Sequence, residues 1–230
     1  MAVKQSYRRG RQNASMPRKS KDARPDAEEP LAGARVLVVD DHSFTIGLIK
    51  DVLYASGAAE VTSALDGAEA LALMRACQPH LVVTDWRMPG LDGLAFTQIV
   101  RRAAVKRDPR IPNPQVPIVL LSAHASAGAV ETARRAGVSE VLVKPFTIAT
   151  LLKRMVASMT QPRAFVVSEA YVGPDRRRRD APRSAGRRAS DRVKAVEAML
   201  GESSMLMRLQ TELDAIEPRP RRAAKAAATP

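Results

Sequence analysis

Three aspartates, a serine and a lysine each follow a short apolar run. Asp40 and Asp41 follow Val36–Val39, Asp85 closes the run at Leu81–Val83, Ser122 follows Ile118–Leu121, and Lys144 follows Val141–Val143. Carboxylates gathered at one edge repel one another. Such a set persists only if some protonate or a divalent cation lies between them. Hard oxygen ligands at an open position suit Mg2+, which keeps several waters and accepts a phosphate oxygen. Lys144 adds a point charge for a phosphoryl oxygen and Ser122 a hydroxyl donor. The set describes a phosphoryl site with a carboxylate nucleophile, provided that the fold brings the run ends together.

The elements that must do so are legible from periodicity. Val36–Val39 is apolar throughout and bounded by polar residues, as in a strand covered on both faces, and similar runs recur at Val61, Leu81–Val83, Ile118–Leu121 and Val141–Val143. Between them lie helical stripes. Phe44, Leu48, Ile49, Val52 and Leu53 share a face closed by Gly57; Ala70, Leu71, Met74 and Cys77 follow Asp66 as N-cap. Ala95, Phe96, Ile99 and Val100 form a third stripe, and Ala129, Val130, Ala133 and Ala136 a fourth that ends at Gly137. The fifth, Ile148, Leu151, Leu152, Met155, Val156 and Met159, starts behind Thr147. Five strands alternating with five helices predict an α/β fold, a doubly wound five-stranded parallel sheet with helices on both faces. Ligands of such sheets bind outside the carboxyl ends of the strands, where all five candidate residues stand.

The chain has 230 residues, and alanine supplies 38 of them, so the 45% apolar share overstates the core-forming residues. The strongly hydrophobic ones concentrate in 34–159, which is read as one domain. Residues 1–33 read as a disordered basic tail, 160–190 as a basic Pro/Arg-rich linker with a turn at Tyr171–Asp175, 191–217 as a short helical segment, and 218–230 as a second tail. Val105–Val116, with Pro109, Pro112 and Pro114, reads as a surface insertion. Leu206, Leu209, Leu213 and Ile216 make a heptad-like stripe, too short for a coiled coil without another surface to pack on. The net charge of +13 sits mainly on the flanks. Arg176–Arg179 reads first as a solvated linker and second as an unspecific contact for nucleic acid, anionic lipid or an acidic partner. Cys77 is the single cysteine, normal for a reducing cytoplasm, and no apolar stretch suits a membrane span or a signal peptide. Zinc is not expected, because His80 and Cys77 precede the third strand while His42 and His124 lie at the opposite edge. Trp86 is expected to be exposed.

Four motifs in order, Val38-Val-Asp-Asp41, Asp85-Trp-Arg-Met-Pro-Gly-Leu-Asp-Gly93, Leu121-Ser-Ala123 and Lys144-Pro145, resemble those of the receiver domain of bacterial two-component response regulators. The resemblance covers 34 to about 159. It implies a flavodoxin-like strand order 2-1-3-4-5 and a phosphoryl group accepted on Asp85 from a histidine kinase or phosphotransfer protein. It further implies Mg2+ held by Asp41, Asp85 and the backbone carbonyl of Arg87, with Asp40 acting through water, and phosphoryl oxygens held by Ser122 and Lys144. One position departs from the pattern: an aromatic usually stands three residues before the lysine, where this chain has Val141.

The leading expectation is thus a cytoplasmic signalling receiver, not an enzyme, that works through protein–protein contacts with an unidentified partner. The alternative is a DNA-binding response regulator whose basic C-terminal region is the output. Against it, 161–230 holds few helical residues for a DNA-reading module with its own core. An aspartate-nucleophile phosphatase is disfavoured because the haloacid-dehalogenase-like pattern wants an acid two residues after the nucleophile, where this chain has Arg87. Neither a Walker A loop nor G-x-G-x-x-G is present.

Overall fold

The computed structural model describes residues 29–176 and 204–216. Strands β1 (Arg35–Val39), β2 (Glu60–Ala64), β3 (Leu81–Asp85), β4 (Ile118–Ser122) and β5 (Glu140–Val143) form a wholly parallel sheet in the order β2-β1-β3-β4-β5. Helices α1 (Ser43–Ala55), α2 (Gly67–Cys77), α3 (Gly93–Lys106), α4 (Ala127–Ala136) and α5 (Ile148–Thr160) make the crossovers. The predicted architecture and strand order are both present.

Alternation along each strand explains the layers. Val36 and Val38 point with Leu81, Val83, Val119 and Leu121 into a core closed by α1 and α5. Leu37 and Val39 point with Val82 and Ile118 into a second core closed by α2 and α3. Asp66, Asp92, Ser126 and Thr147 cap α2, α3, α4 and α5, each accepting backbone N–H groups that the first helical turn leaves unmet.

Four details differ from the sequence reading. Phe44 is exposed, and Thr45 and Ile46 take its place on the inner face of α1, because the stripe is rotated by one residue at the helix start. Leu31, assigned to the tail, is buried in the α1/α5 core and its N–H donates to Ser56 O at 2.9 Å, so ordered packing begins before residue 34. The Val105–Val116 segment is pinned at Ile111 and Val116, both buried. The fourth lies in the segment read as linker, where β6 (Phe165–Val167) and β7 (Val172–Pro174) form an antiparallel ribbon.

Arg101 is the anchor of that ribbon. It is fully buried on α3 and donates to Gly137 O at 2.9 Å, Pro114 O at 2.6 Å and Val116 O at 2.8 Å, while its guanidinium lies 5.8 Å from the centre of the Phe165 ring. Burial presses its pKa down to about 9, which leaves it a cation at neutral pH. Gly137 ends α4 with φ of 93°, and a Cβ there would lie 2.7 Å from Arg101 Cγ and 3.1 Å from Val172 O. Both its conformation and its neighbours therefore require glycine. Three-residue strands carry too little alternation to be seen in sequence.

After the ribbon, α6 (Ser204–Ile216) packs on α1 and α5, burying Leu209 and Leu213 in their core. The expected stripe is thus met at these two positions. The tail before residue 29, Arg177–Arg179, the 191–203 part of the expected helical segment and the tail at 218–230 lie outside the described residues. Among the described residues no helix is long and apolar enough to cross a membrane.

Candidate functional site

Because the strands are parallel, their carboxyl ends share one edge, and the register sets Val39 beside Thr84, Asp85 beside Leu121 and Ser122 beside Val143. Asp40 and Asp41 thus leave β1 next to Asp85, and Lys144 leaves β5 within reach of both. Lys144 Nζ lies 2.9 Å from Asp85 Oδ1 and 3.9 Å from Asp40 Oδ2. Asp85 Oδ2 accepts the Arg87 N–H at 2.8 Å, which ties the loop after β3 to the carboxylate. A Cβ at residue 93 would fall 2.1 Å from the Asp85 carbonyl oxygen, so only glycine lets α3 start this close to the site.

Asp40 is buried at 1% exposure, and the two oxygens of its carboxylate differ. Oδ1 accepts the His42 N–H at 2.8 Å, whereas Oδ2 is a buried oxygen without a hydrogen-bond partner, the one such side-chain atom among the described residues. Burial raises the Asp40 pKa above the usual carboxylate range, and the Asp85 charge adds to this, while the His42 N–H and Lys144 pull it down. Asp41 is more open, with Oδ1 3.1 Å from His42 Nδ1. Ligand atoms of Asp40, Asp41 and His42 lie within 4.8 Å of one another. An orphaned, buried, acceptor-only oxygen beside two further carboxylates fits a hard divalent cation, so these residues suit Mg2+. At the far edge, Cys77 is buried and His80 Nδ1 accepts the Arg35 N–H at 3.2 Å.

A family model described as the response regulator receiver domain matches residues 36–156. This chain belongs to the response regulator receiver family. The chain is 36% identical over 147 residues to the transcriptional regulatory protein PrrA of Mycobacterium leprae, an alignment covering 63% of this chain and 59% of PrrA. It is 35% identical over 114 residues to a probable chemotaxis protein CheY of Rhizobium etli, covering 50% of this chain and 83% of that protein. Among solved structures, the Francisella response regulator 1452 receiver domain is 32% identical, with 54% of this chain and 93% of that chain covered and a TM-score of 0.47. It is the receiver domain of two-component response regulators that the chain contains.

The receiver places Ser122 beside Lys144, whose N–H donates to Ser122 O at 2.7 Å, but turns the Ser122 hydroxyl toward its own loop. Ser122 Oγ accepts the His124 N–H at 3.0 Å and donates to His124 O at 3.1 Å. Trp86 is not exposed. Its side chain is buried with Leu120, Ala133 and Val138, with Ala129 and Val141 packed against them. The small residues of α4 and the valine on β5 leave the volume that the indole fills. Sequence reading also passed over His42 as a neighbour of the carboxylates, although its adjacency to Asp41 was the available signal.

Proposed function

We propose that the receiver accepts a phosphoryl group on Asp85 from the phosphohistidine of a histidine kinase or phosphotransfer protein, in a Mg2+-dependent reaction within the cytoplasm. The phosphorylated form then acts through altered protein–protein contacts. Asp41, Asp85 and the Arg87 carbonyl are the residues to hold the cation, with Asp40 acting through water. Bound there, Mg2+ supplies charge neutralisation for the carboxylates and the incoming phosphoryl oxygens. Asp85 contributes the nucleophilic carboxylate oxygen. As its bond to phosphorus forms, the phosphorus–nitrogen bond of the donor breaks and the imidazole leaves with the electron pair and takes up a proton. Lys144 exchanges its ion pair with Asp85 for a phosphoryl oxygen. The Ser122 hydroxyl rotates away from His124 to donate to another oxygen.

The observation that carries this reading is the reach of one cation, Lys144 Nζ, to Asp85 Oδ1 at 2.9 Å and to the orphaned Asp40 Oδ2 at 3.9 Å. A buried and a half-buried carboxylate held by one lysine at the open edge of a parallel sheet are arranged for a dianionic ligand and a cation. The deciding experiment is intact-mass analysis after incubation with Mg2+ and acetyl phosphate. A single added phosphoryl group in the wild type and none in Asp85→Asn is expected; no addition, or equal addition in both, refutes the assignment.

A DNA-binding output is the weaker reading. Beyond α5, the elements among the described residues are one two-stranded ribbon and α6, and Phe165 of the ribbon meets Arg101 while α6 packs on α1 and α5. Neither forms a second core on which a DNA-reading helix would rest.

A further inference from the structure

Where the β6/β7 ribbon folds back on the receiver it encloses a cleft of about 520 Å3 at the amino ends of β4 and β5, the sheet edge opposite Asp85. Arg134 of α4 and Arg154 of α5 line one side. Arg163, two residues before β6, and Arg176, two residues after β7, line the other. Glu140 is the one carboxylate in the lining, so four arginines against one glutamate leave three positive charges uncompensated there. Arg154 Nη1 lies 3.1 Å from Glu140 Oε2, and Arg163 Nη2 lies 3.9 Å from Glu140 Oε1. Arg163 also donates to the Ser139 and Asp175 carbonyls. Glu140 thus braces two guanidiniums in place. Neither Arg134, partly buried, nor Arg176, whose guanidinium lies 4.6 Å from the centre of the Tyr171 ring, has an ion-pair partner among the described residues. Arg135, next to Arg134 in the chain, is outside the lining and pairs with Glu131 at 3.1 Å.

Guanidiniums gathered without counter-charges repel one another. A ligand with two or more anionic oxygens relieves this, and phosphate oxygens match the planar guanidinium fork two bonds at a time. Braced side chains lose little freedom in making those bonds. The volume is that of a small-molecule site, far more than a lone phosphate fills. Between the arginines the lining turns apolar, with Val138, Val141, Phe165 and Pro174. Such a surface beside guanidiniums suits a planar aromatic group, and guanidinium–ring stacking already occurs twice at the ribbon, Arg101 with Phe165 and Arg176 with Tyr171. Phosphates joined to an aromatic base meet both requirements.

We propose that this cleft binds a nucleotide, with its phosphates on Arg134, Arg154, Arg163 and Arg176 and its base against Phe165 and the valines at β5. Because the ribbon supplies one wall and α4 and α5 the other, the bound nucleotide ties residues 163–176 to the receiver. The site stands at the opposite sheet edge from Asp85 and does not depend on Asp85 being the phosphoacceptor.

The test is isothermal titration calorimetry of the full chain without Mg2+, as wild type, Arg134→Gln, Arg176→Gln and Arg135→Gln. The ligands are the mono-, di- and triphosphates of adenosine and guanosine, pyrophosphate and a short single-stranded oligonucleotide. At least one nucleotide binds wild type with a Kd below about 1 mM. Arg134→Gln and Arg176→Gln each weaken it about tenfold, the loss of one charge-assisted contact, with thermal unfolding midpoints as in wild type. Arg135→Gln stays within about twofold of wild type, which separates the cleft from the general positive charge of the surface. Hydrogen exchange at 163–176 slows when the nucleotide is bound. Binding by no nucleotide overturns the inference, and so does pyrophosphate held as tightly as the best nucleotide or an oligonucleotide held more tightly. Equal weakening in Arg135→Gln overturns it as unspecific attraction, and slowed exchange confined to 85–93 overturns it by moving the ligand to the carboxyl edge.

Discussion

Asp40→Asn should make the receiver more stable in the absence of Mg2+ and remove its stabilisation by Mg2+. The side chain is buried, and Oδ2 has no hydrogen-bond partner. An unsatisfied buried acceptor costs about 1–3 kcal/mol, and more when it bears charge. Neutralising the group relieves that cost, while Asn can still accept the His42 N–H through its own oxygen. The attraction given up is weaker than the one Lys144 makes to Asp85, since its Nζ is 3.9 Å from Asp40 and 2.9 Å from Asp85. The raised pKa of Asp40 has the same sign: its surroundings as a whole disfavour the charged form. A net gain of about 1–2 kcal/mol remains after the lost attraction is set against the relief. In wild type, Mg2+ at ten times its dissociation constant stabilises the fold by RT ln 11, about 1.4 kcal/mol. The variant, with one carboxylate fewer, loses most of this. Urea unfolding with and without Mg2+ measures both effects, and unchanged slopes confirm that the denatured state is the same. A variant less stable than wild type without Mg2+, or equally stabilised by it, refutes the assignment of Asp40 to a strained cation site.

Asp85→Asn should abolish phosphoryl incorporation while leaving the cooperative unfolding transition in place, read by intact mass and circular dichroism. Lys144→Ala should still incorporate phosphate, because the nucleophile remains, but should impair signalling, read as loss of the phosphorylation-dependent hydrogen-exchange changes expected in wild type. Arg101→Met leaves the carbonyls of Gly137, Pro114 and Val116 without their donor and should cost roughly 3 kcal/mol, the penalties being offset in part by removing a buried charge. Urea unfolding checks the cost, and faster hydrogen exchange at 165–174 locates it; a loss below about 1 kcal/mol would contradict the role given to Arg101. Trp86 emission should change when acetyl phosphate and Mg2+ act on wild type and stay constant in Ser122→Ala, since Ser122 holds the His124 backbone and the His124 ring lies 6.2 Å from the indole.

What sequence made legible follows from where information is local. Apolar runs of four residues specify strands buried on both faces, and Asp66 and Thr147 announce helices because capping needs only neighbours in the chain. The site was legible for the same reason. A parallel sheet sends every strand end to one edge, so order along the chain was enough to bring Asp40, Asp85 and Lys144 together. Contacts decided by distant surfaces were not legible. Leu31 looks like a lone apolar residue in a polar tail, and only the gap beside Ser56 makes it core. The ribbon at 165–174 depends on Arg101, more than sixty residues earlier in the chain. The burial of Leu209 and Leu213 depends on a face of α1 and α5 formed by residues far earlier in the chain.

Trp86 shows how these two kinds of information meet at the site. Its position next to Asp85 was visible, but its burial was not, because a loop residue is read as exposed unless something makes room for it. Room exists here because α4 faces the sheet with Ala129 and Ala133, and β5 contributes Val141 where the family resemblance leads one to expect a ring. The aromatic volume therefore stands on the residue following Asp85 rather than across the sheet on β5. One peptide bond separates Asp85 from Trp86, whose indole packs on the inner face of α4. The Ser122 hydroxyl approaches the same place from the other side, since turning it toward a phosphoryl oxygen releases the His124 N–H and carbonyl that it now holds. Trp86 after Asp85 packs with Ala129 and Ala133 of α4, and the His124 ring held near Ser122 lies 6.2 Å from the same indole, so the site has neighbours on α4 although Val141 supplies no ring.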